Sequence, residues 1–82
     1  MKRRKKLLLL EEDIRYAQEL SSKPRFSDYL VNLYRDPYIA LYDSSNTEYE
    51  VALINKSFEK YEGKNWIEEI SLTNPEMEVI LI

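Results

Sequence analysis

Residues 55–82 read NKSFEKYEGKNWIEEISLTNPEMEVILI, and the reading of this third of the chain decides the fold. It holds the only glycine, Gly63, and the only tryptophan, Trp66. Asn55-Lys56-Ser57 is a good helix start. Phe58 and Tyr61 then fall on one side, and Gly63 can take the left-handed conformation that stops a helix. A short helix is predicted over 56–62. Beyond it, Trp66, Glu68, Ile70 and Leu72 alternate with Ile67, Glu69 and Ser71, which predicts a strand over 65–72. Thr73-Asn74-Pro75 turns the chain into a further strand over 76–82. That strand is apolar on both faces near its end, as expected in the middle of a sheet or at a seam with another chain.

Residues 48–54 (EYEVALI) read as the strand before this stretch, paired across the turn residues 44–47 with a strand over 38–43 (YIALYD). A second reading competes here. Thr47 and Glu50 form a capping box, and Val51, Ile54, Phe58 and Tyr61 have helical spacing, so residues 48–62 also fit one helix. Asn55-Lys56-Ser57 is a poor helix middle, which favours the strand.

Two helices are expected upstream. Leu7, Leu10, Ile14 and Ala17 draw one stripe over 7–21, with Glu11 and Arg15 as a supporting pair, and Pro24 stops the chain beyond. Ser27 and Asp28 open a second helix over 27–36, with Phe26, Tyr29, Leu30, Leu33 and Tyr34 facing inward and Asp36-Pro37 closing it. The expected architecture is α+β: two N-terminal helices (7–21 and 27–36) on a small, mainly antiparallel sheet of strands 38–43, 48–54, 65–72 and 76–82, with the short helix 56–62. A basic flexible arm, 1–6, precedes one compact domain, 7–82.

The net charge of −3 hides a division. Lys2, Arg3, Arg4, Lys5 and Lys6 carry five positive charges; residues 7–82 hold seven basic against fifteen acidic side chains, hence −8. The arm is a candidate nucleic-acid contact through phosphates. The predicted helix pair resembles a helix–turn–helix, but the second helix has only Arg35 as a base and Asp28 at its leading end, which argues against groove binding. KRRKKLLLL imitates a signal peptide, yet its apolar run is four residues and Glu11-Glu12-Asp13 follows. No membrane span is expected, and the expected location is cytoplasmic.

The chemistry is sparse. With no histidine or cysteine, histidine bases, cysteine nucleophiles and the usual zinc sites are out of reach. One glycine cannot build a phosphate-cradling loop, so no nucleotide cofactor is expected. Glu62-Gly63-Lys64 with Asp43 matches a magnesium nuclease only loosely. Glu68, Glu69, Glu76 and Glu78 can converge on a metal across the predicted final hairpin, but the solvated face of a sheet is the plainer reading. No catalytic, cofactor or metal residues are therefore assigned. Seven tyrosines are present; Tyr38, Tyr42 and Tyr49 are accompanied by Asp43, Glu48 and Glu50, which suits a protein-binding patch better than stacking on bases. Interface candidates are Tyr38, Tyr42, Tyr49, Val79, Ile80 and Ile82.

The run FEKYEGKNWIEEISL resembles the helix–Gly-Lys–strand junction of many small bacterial and phage proteins, and implies no function. The small size and Lys/Glu/Ile/Tyr-rich composition resemble those of viral or mobile-element accessory proteins. The expected function is a non-enzymatic regulatory or accessory protein that binds another protein through an acidic, tyrosine-rich surface, and forms a homodimer. The alternative is a nucleic-acid-binding regulator using the arm.

Overall fold

The computed structural model describes residues 4–82. Lys2 and Arg3 of the expected arm lie outside the described residues, while Lys5 and Lys6 are the first two residues of a strand. The chain runs β1 (Lys5–Leu10), α1 (Ile14–Ser21), β2 (Tyr29–Tyr34), α2 (Pro37–Asn46), β3 (Val51–Ile54), α3 (Trp66–Ser71) and β4 (Glu78–Leu81), with short 3-10 turns at Pro24–Phe26 and Lys56–Lys60. All four strands are parallel, in the order β2-β1-β3-β4. The expected α+β fold with a mainly antiparallel sheet is therefore overturned: this is an α/β sheet with helices on both faces.

Leu7–Leu10 explain the first correction. Each is at most 1 % exposed, because β1 has a strand on either side and helices above and below. A parallel strand covered on both faces reads as an unbroken apolar run. The helical spacing expected over 7–21 is thus incidental before Asp13, which caps α1 by accepting from the Tyr16 amide (3.2 Å). The helix expected over 27–36 is β2, and Ser27 ends the preceding 3-10 turn instead of starting a helix.

The segment 38–43, expected as a strand, lies in α2. Asp36-Pro37 starts that helix rather than ending one: Asp36 Oδ1 accepts from the Tyr38 amide (2.9 Å), and proline suits the first helical position. Residues 48–54 contain β3, which is followed by the 3-10 turn inside 56–62; but β3 pairs in parallel with β1 and β4, not in a hairpin. The strand expected over 65–72 is α3, capped by Asn65 on the Glu68 amide, with Trp66 and Ile70 buried one turn apart. Strand and helix periods coincide at that spacing of four, which is why alternation misled. The strand within 76–82 is β4, an edge strand rather than a central one.

From β1 the chain crosses one way to β2, then back over β1 to β3 and onward to β4. Right-handed crossovers in opposite directions place their helices on opposite faces. Accordingly Ala17 and Phe26 pack with Leu7, Leu9, Val51 and Leu53 on one face. Ala40, Phe58, Trp66 and Ile70 cover Leu8, Leu10, Ala52 and Ile54 on the other.

Leu9→Ala should lower unfolding stability by about 2–5 kcal/mol, the range for a buried leucine. Leu33→Ala, at a side chain 39 % exposed on β2, should cost well under that. Urea denaturation measures both; equal losses would contradict the central position of β1.

Candidate functional site

Parallel doubly wound sheets bind ligands outside the carboxyl ends of their strands, where the strand order reverses. Here that point lies between β1 and β3, and the residues emerging there are Glu11 and Asn55. Glu11 is only 4 % exposed. Its Oε1 accepts from Asn55 Nδ2 (2.6 Å) and its Oε2 from the Asp13 amide (2.9 Å). Its own amide donates to the Tyr34 carbonyl, while the Asn55 amide donates to the Leu10 carbonyl. The reversal point is thus stitched shut by the chain's own groups, and the buried carboxylate keeps its hydrogen bonds.

The open concavity lies beside it, a cleft of about 290 Å³ lined by Glu12, Arg35, Asp36, Pro37, Tyr38, Tyr61 and Glu62. Glu12 follows β1, and Arg35 and Asp36 follow β2. Arg35 Nε donates to the Glu12 carbonyl (3.1 Å). The opposite wall is a tight turn, in which the Tyr61 and Lys64 amides each donate to the other's carbonyl (3.1 Å). Glu62 and Gly63 have φ of 52° and 75°, the left-handed pair of a type I′ turn. Gly63 is therefore the second residue of a hairpin turn rather than a helix stop. Trp66 Nε1 donates to the Tyr61 carbonyl (3.0 Å), and Tyr38 meets the Trp66 ring edge-on with centroids 4.4 Å apart. Partial burial, then the carboxylates of Glu12, Glu62 and Asp36, push the Tyr61 phenol above its usual range.

Helix α2, which supplies Tyr38, is held by a directional chain of hydrogen bonds. Asn32 Nδ2 donates to the Tyr49 hydroxyl (2.7 Å), that hydroxyl lies 2.6 Å from the Tyr34 hydroxyl, and Tyr34 donates to Asp43 Oδ2 (2.7 Å). With Tyr49 donating to Tyr34, each hydroxyl accepts once and donates once, ending on an acceptor-only carboxylate.

The structure separates the residues singled out in the sequence. Tyr38 and Tyr42 are 56 % and 70 % exposed on α2, and Ile39 between them is 53 % exposed. Tyr49 is 1 % exposed and belongs to the interior chain just described. Val79, Ile80 and Ile82 are half-buried at the β4 edge. Asp43 is turned to Tyr34, away from the loose nuclease pattern with Glu62 and Lys64; Lys64 instead pairs with Glu69 (3.4 Å). The final hairpin that was to gather Glu68, Glu69, Glu76 and Glu78 does not exist, since the first two lie on α3. Among the described residues no group of three acids can hold a metal ion.

Arg4 and Lys6 line a larger groove, about 610 Å³, at the amino ends of the strands. Glu48, Glu50 and Glu76 share it, and Lys5 lies 3.8 Å from Glu50. Those acids offset the basic side chains and oppose a phosphate backbone. This groove is polar and lies away from the carboxyl ends, so the smaller cleft has the stronger claim. Sequence reasoning missed Glu12, Asp36, Ile39, Tyr61 and Glu62 as site residues. The signal for them was Asp36-Pro37, which as a helix start places α2 at the carboxyl end of β2. No described helix is long and apolar enough to cross a membrane. No family model, curated protein or solved structure matches the chain.

Glu62 holds a conformation that costs an ordinary residue about 1 kcal/mol. Glu62→Asn, the residue most at home there after glycine, should raise stability by roughly 0.5–1 kcal/mol. Gly63→Ala should lower it by about 1 kcal/mol, although an added Cβ would meet open space. Thermal unfolding of the two variants should shift in opposite directions. A second outcome concerns pH. Burial, the bonds to Tyr49 and Asp43, and the charge of Asp43 push the Tyr34 phenol far above its usual range. The native chain keeps a proton that the unfolded chain releases near about pH 10. The associated stability is whole below that pH and is lost as pH rises above it. Urea midpoints between about pH 8 and 11 should fall more steeply for the wild type than for Tyr34→Phe; parallel slopes would count against this account.

Proposed function

We propose that this chain is a non-catalytic interaction protein that docks a partner protein on the outer face of α2. One observation carries the reading. The side of α2 turned to the sheet buries Pro37, Ala40 and Ser44 and packs Leu41 against the core, whereas three other large apolar side chains, Tyr38, Ile39 and Tyr42, stand at 53–70 % exposure. A helix serving only the fold has no need of large apolar side chains on its outer positions. Tyr38 and Tyr42 stand one turn apart, and Ile39 and Tyr42 are three residues apart, so the three form one patch. Tyrosine supplies contact area at low entropic cost, and such residues anchor protein interfaces. The carboxylates of Glu12, Asp36 and Glu62 beside the patch, on a body of net −8 over residues 7–82, favour a basic partner.

A peptide library displayed on phage tests the proposal against the whole chain. Selected peptides should combine aliphatic or aromatic residues with basic ones. The double variant Ile39→Ser/Tyr42→Ser should weaken them by at least about tenfold, since interface anchors each contribute more than about 1 kcal/mol. Its thermal midpoint should stay close to the wild type because both side chains are exposed. A selection that yields no binders, or binders indifferent to the double variant, would overturn the reading.

A further inference from the structure

Three carboxylates reach the cleft from separate parts of the chain. Glu12 follows β1, Asp36 caps α2 and Glu62 sits in the 61–64 turn, and all three are exposed. They cannot converge on a metal ion, since no three acids among the described residues stand close enough. Their charge is instead spread round a cleft of about 290 Å³ whose lining includes two phenol rings, Tyr38 and Tyr61. Arg35 is the one cation in that lining, leaving it two charges negative. Its Nε is engaged by the Glu12 carbonyl, and among the described residues it forms an ion pair with none of the three carboxylates. Partial burial, and after it the charges of Glu12, Glu62 and Asp36, raise the Tyr61 phenol above its usual range, in keeping with the negative lining.

Dispersed negative charge beside aromatic rings suits a flat, delocalised organic cation better than a point charge. A guanidinium stacks on phenol faces and bonds carboxylates through its fork of N–H donors, and it is more weakly hydrated than an ammonium. We infer that this cleft receives an arginine side chain of the partner that lies along α2. The inference rests on α2 being a docking face and names the chemistry that fixes the partner's register there. Tyr38 belongs to both surfaces: it lines the cleft and begins the exposed patch.

The test is an NMR titration of the full chain with N-acetyl-arginine amide, beside the lysine and norleucine amides. Arginine amide should give saturable shifts at the backbone amides of Arg35, Asp36, Tyr38 and residues 61–64. The lysine amide should bind several-fold more weakly, and the norleucine amide should leave those signals unmoved. Glu12→Gln/Glu62→Gln, both at exposed positions, should weaken arginine amide by roughly fivefold to tenfold, with dispersed spectra as the check on folding. Shifts that do not saturate, that norleucine amide reproduces, that lysine amide matches, or that survive the Gln double variant would each overturn the guanidinium site. Ile39→Ser/Tyr42→Ser lies outside the cleft and should leave arginine amide binding intact. If library peptides fail while arginine amide binds, only the α2 docking surface is lost. If peptides bind without needing an arginine, only the guanidinium site is lost.

Discussion

The structure depends on the burial of four consecutive leucines. Leu7–Leu10 can all leave water only if both faces and both edges of their strand are covered. Both requirements are met when β2 and β3 pair on either side of β1. Parallel pairing on both sides forces the chain to cross over β1 on its way from β2 to β3. That reversal assigns α1 to one face and α2 and α3 to the other. With each buried leucine worth about 1.5–3 kcal/mol, β1 is the dominant apolar element of a domain too small to carry spare stability.

The same constraint decides where polar groups go. A wholly buried strand must hand the chain back to solvent abruptly, and Glu11 is the first polar residue after it. Its carboxylate stays inside by bonding Asn55, the residue that leaves β3 at the same level. This tie occupies the reversal point, so the accessible concavity moves sideways, to the ends of β1 and β2 and the first turn of α2. The position of α2 is fixed in turn by the Asn32–Tyr49–Tyr34–Asp43 chain. The outward display of Tyr38, Ile39 and Tyr42 is thus set by an interior network rather than by a mobile loop.

How much of this was legible in the residues varies with how local the cause is. The segment Val51–Ile54 declared a strand, and Asn55 a helix-type start, because β-branched content and capping act within a few residues. Tyr38 and Tyr42 were singled out from the acids near them in the sequence, but as residues of a strand, and their exposure on a helix follows from α2. The four leucines were not, since four apolar residues followed by a 3-4 spacing satisfy a helix and a buried strand equally, and only the partners on either side choose. Asp36-Pro37 and the run Trp66–Ser71 failed for a related reason. A stop and a start share the same residue types there, and a spacing of four satisfies both periods. Tyr49 sits in the sequence beside acids that suggest a surface, yet its hydroxyl is consumed by Asn32 and Tyr34, partners fifteen or more residues away.

The distribution on α2, where Leu41 packs inward but Ile39 and Tyr42 do not, separates what the fold needs from what it does not. Ala40 and Ser44 are small, and both are buried against the sheet. A larger side chain at either position would lift the helix and draw Asp43 away from the Tyr34 hydroxyl, now 2.7 Å from it. Close approach therefore accounts for the small inner residues. It places no demand on the outer positions, where serine, lysine or glutamate would serve the helix as well and keep it more soluble. Ile39 and Tyr42 gain little from folding at those exposures, and a contiguous apolar patch of this kind invites association. On the docking proposal, the side chains that the fold does not use are the ones offered to the partner.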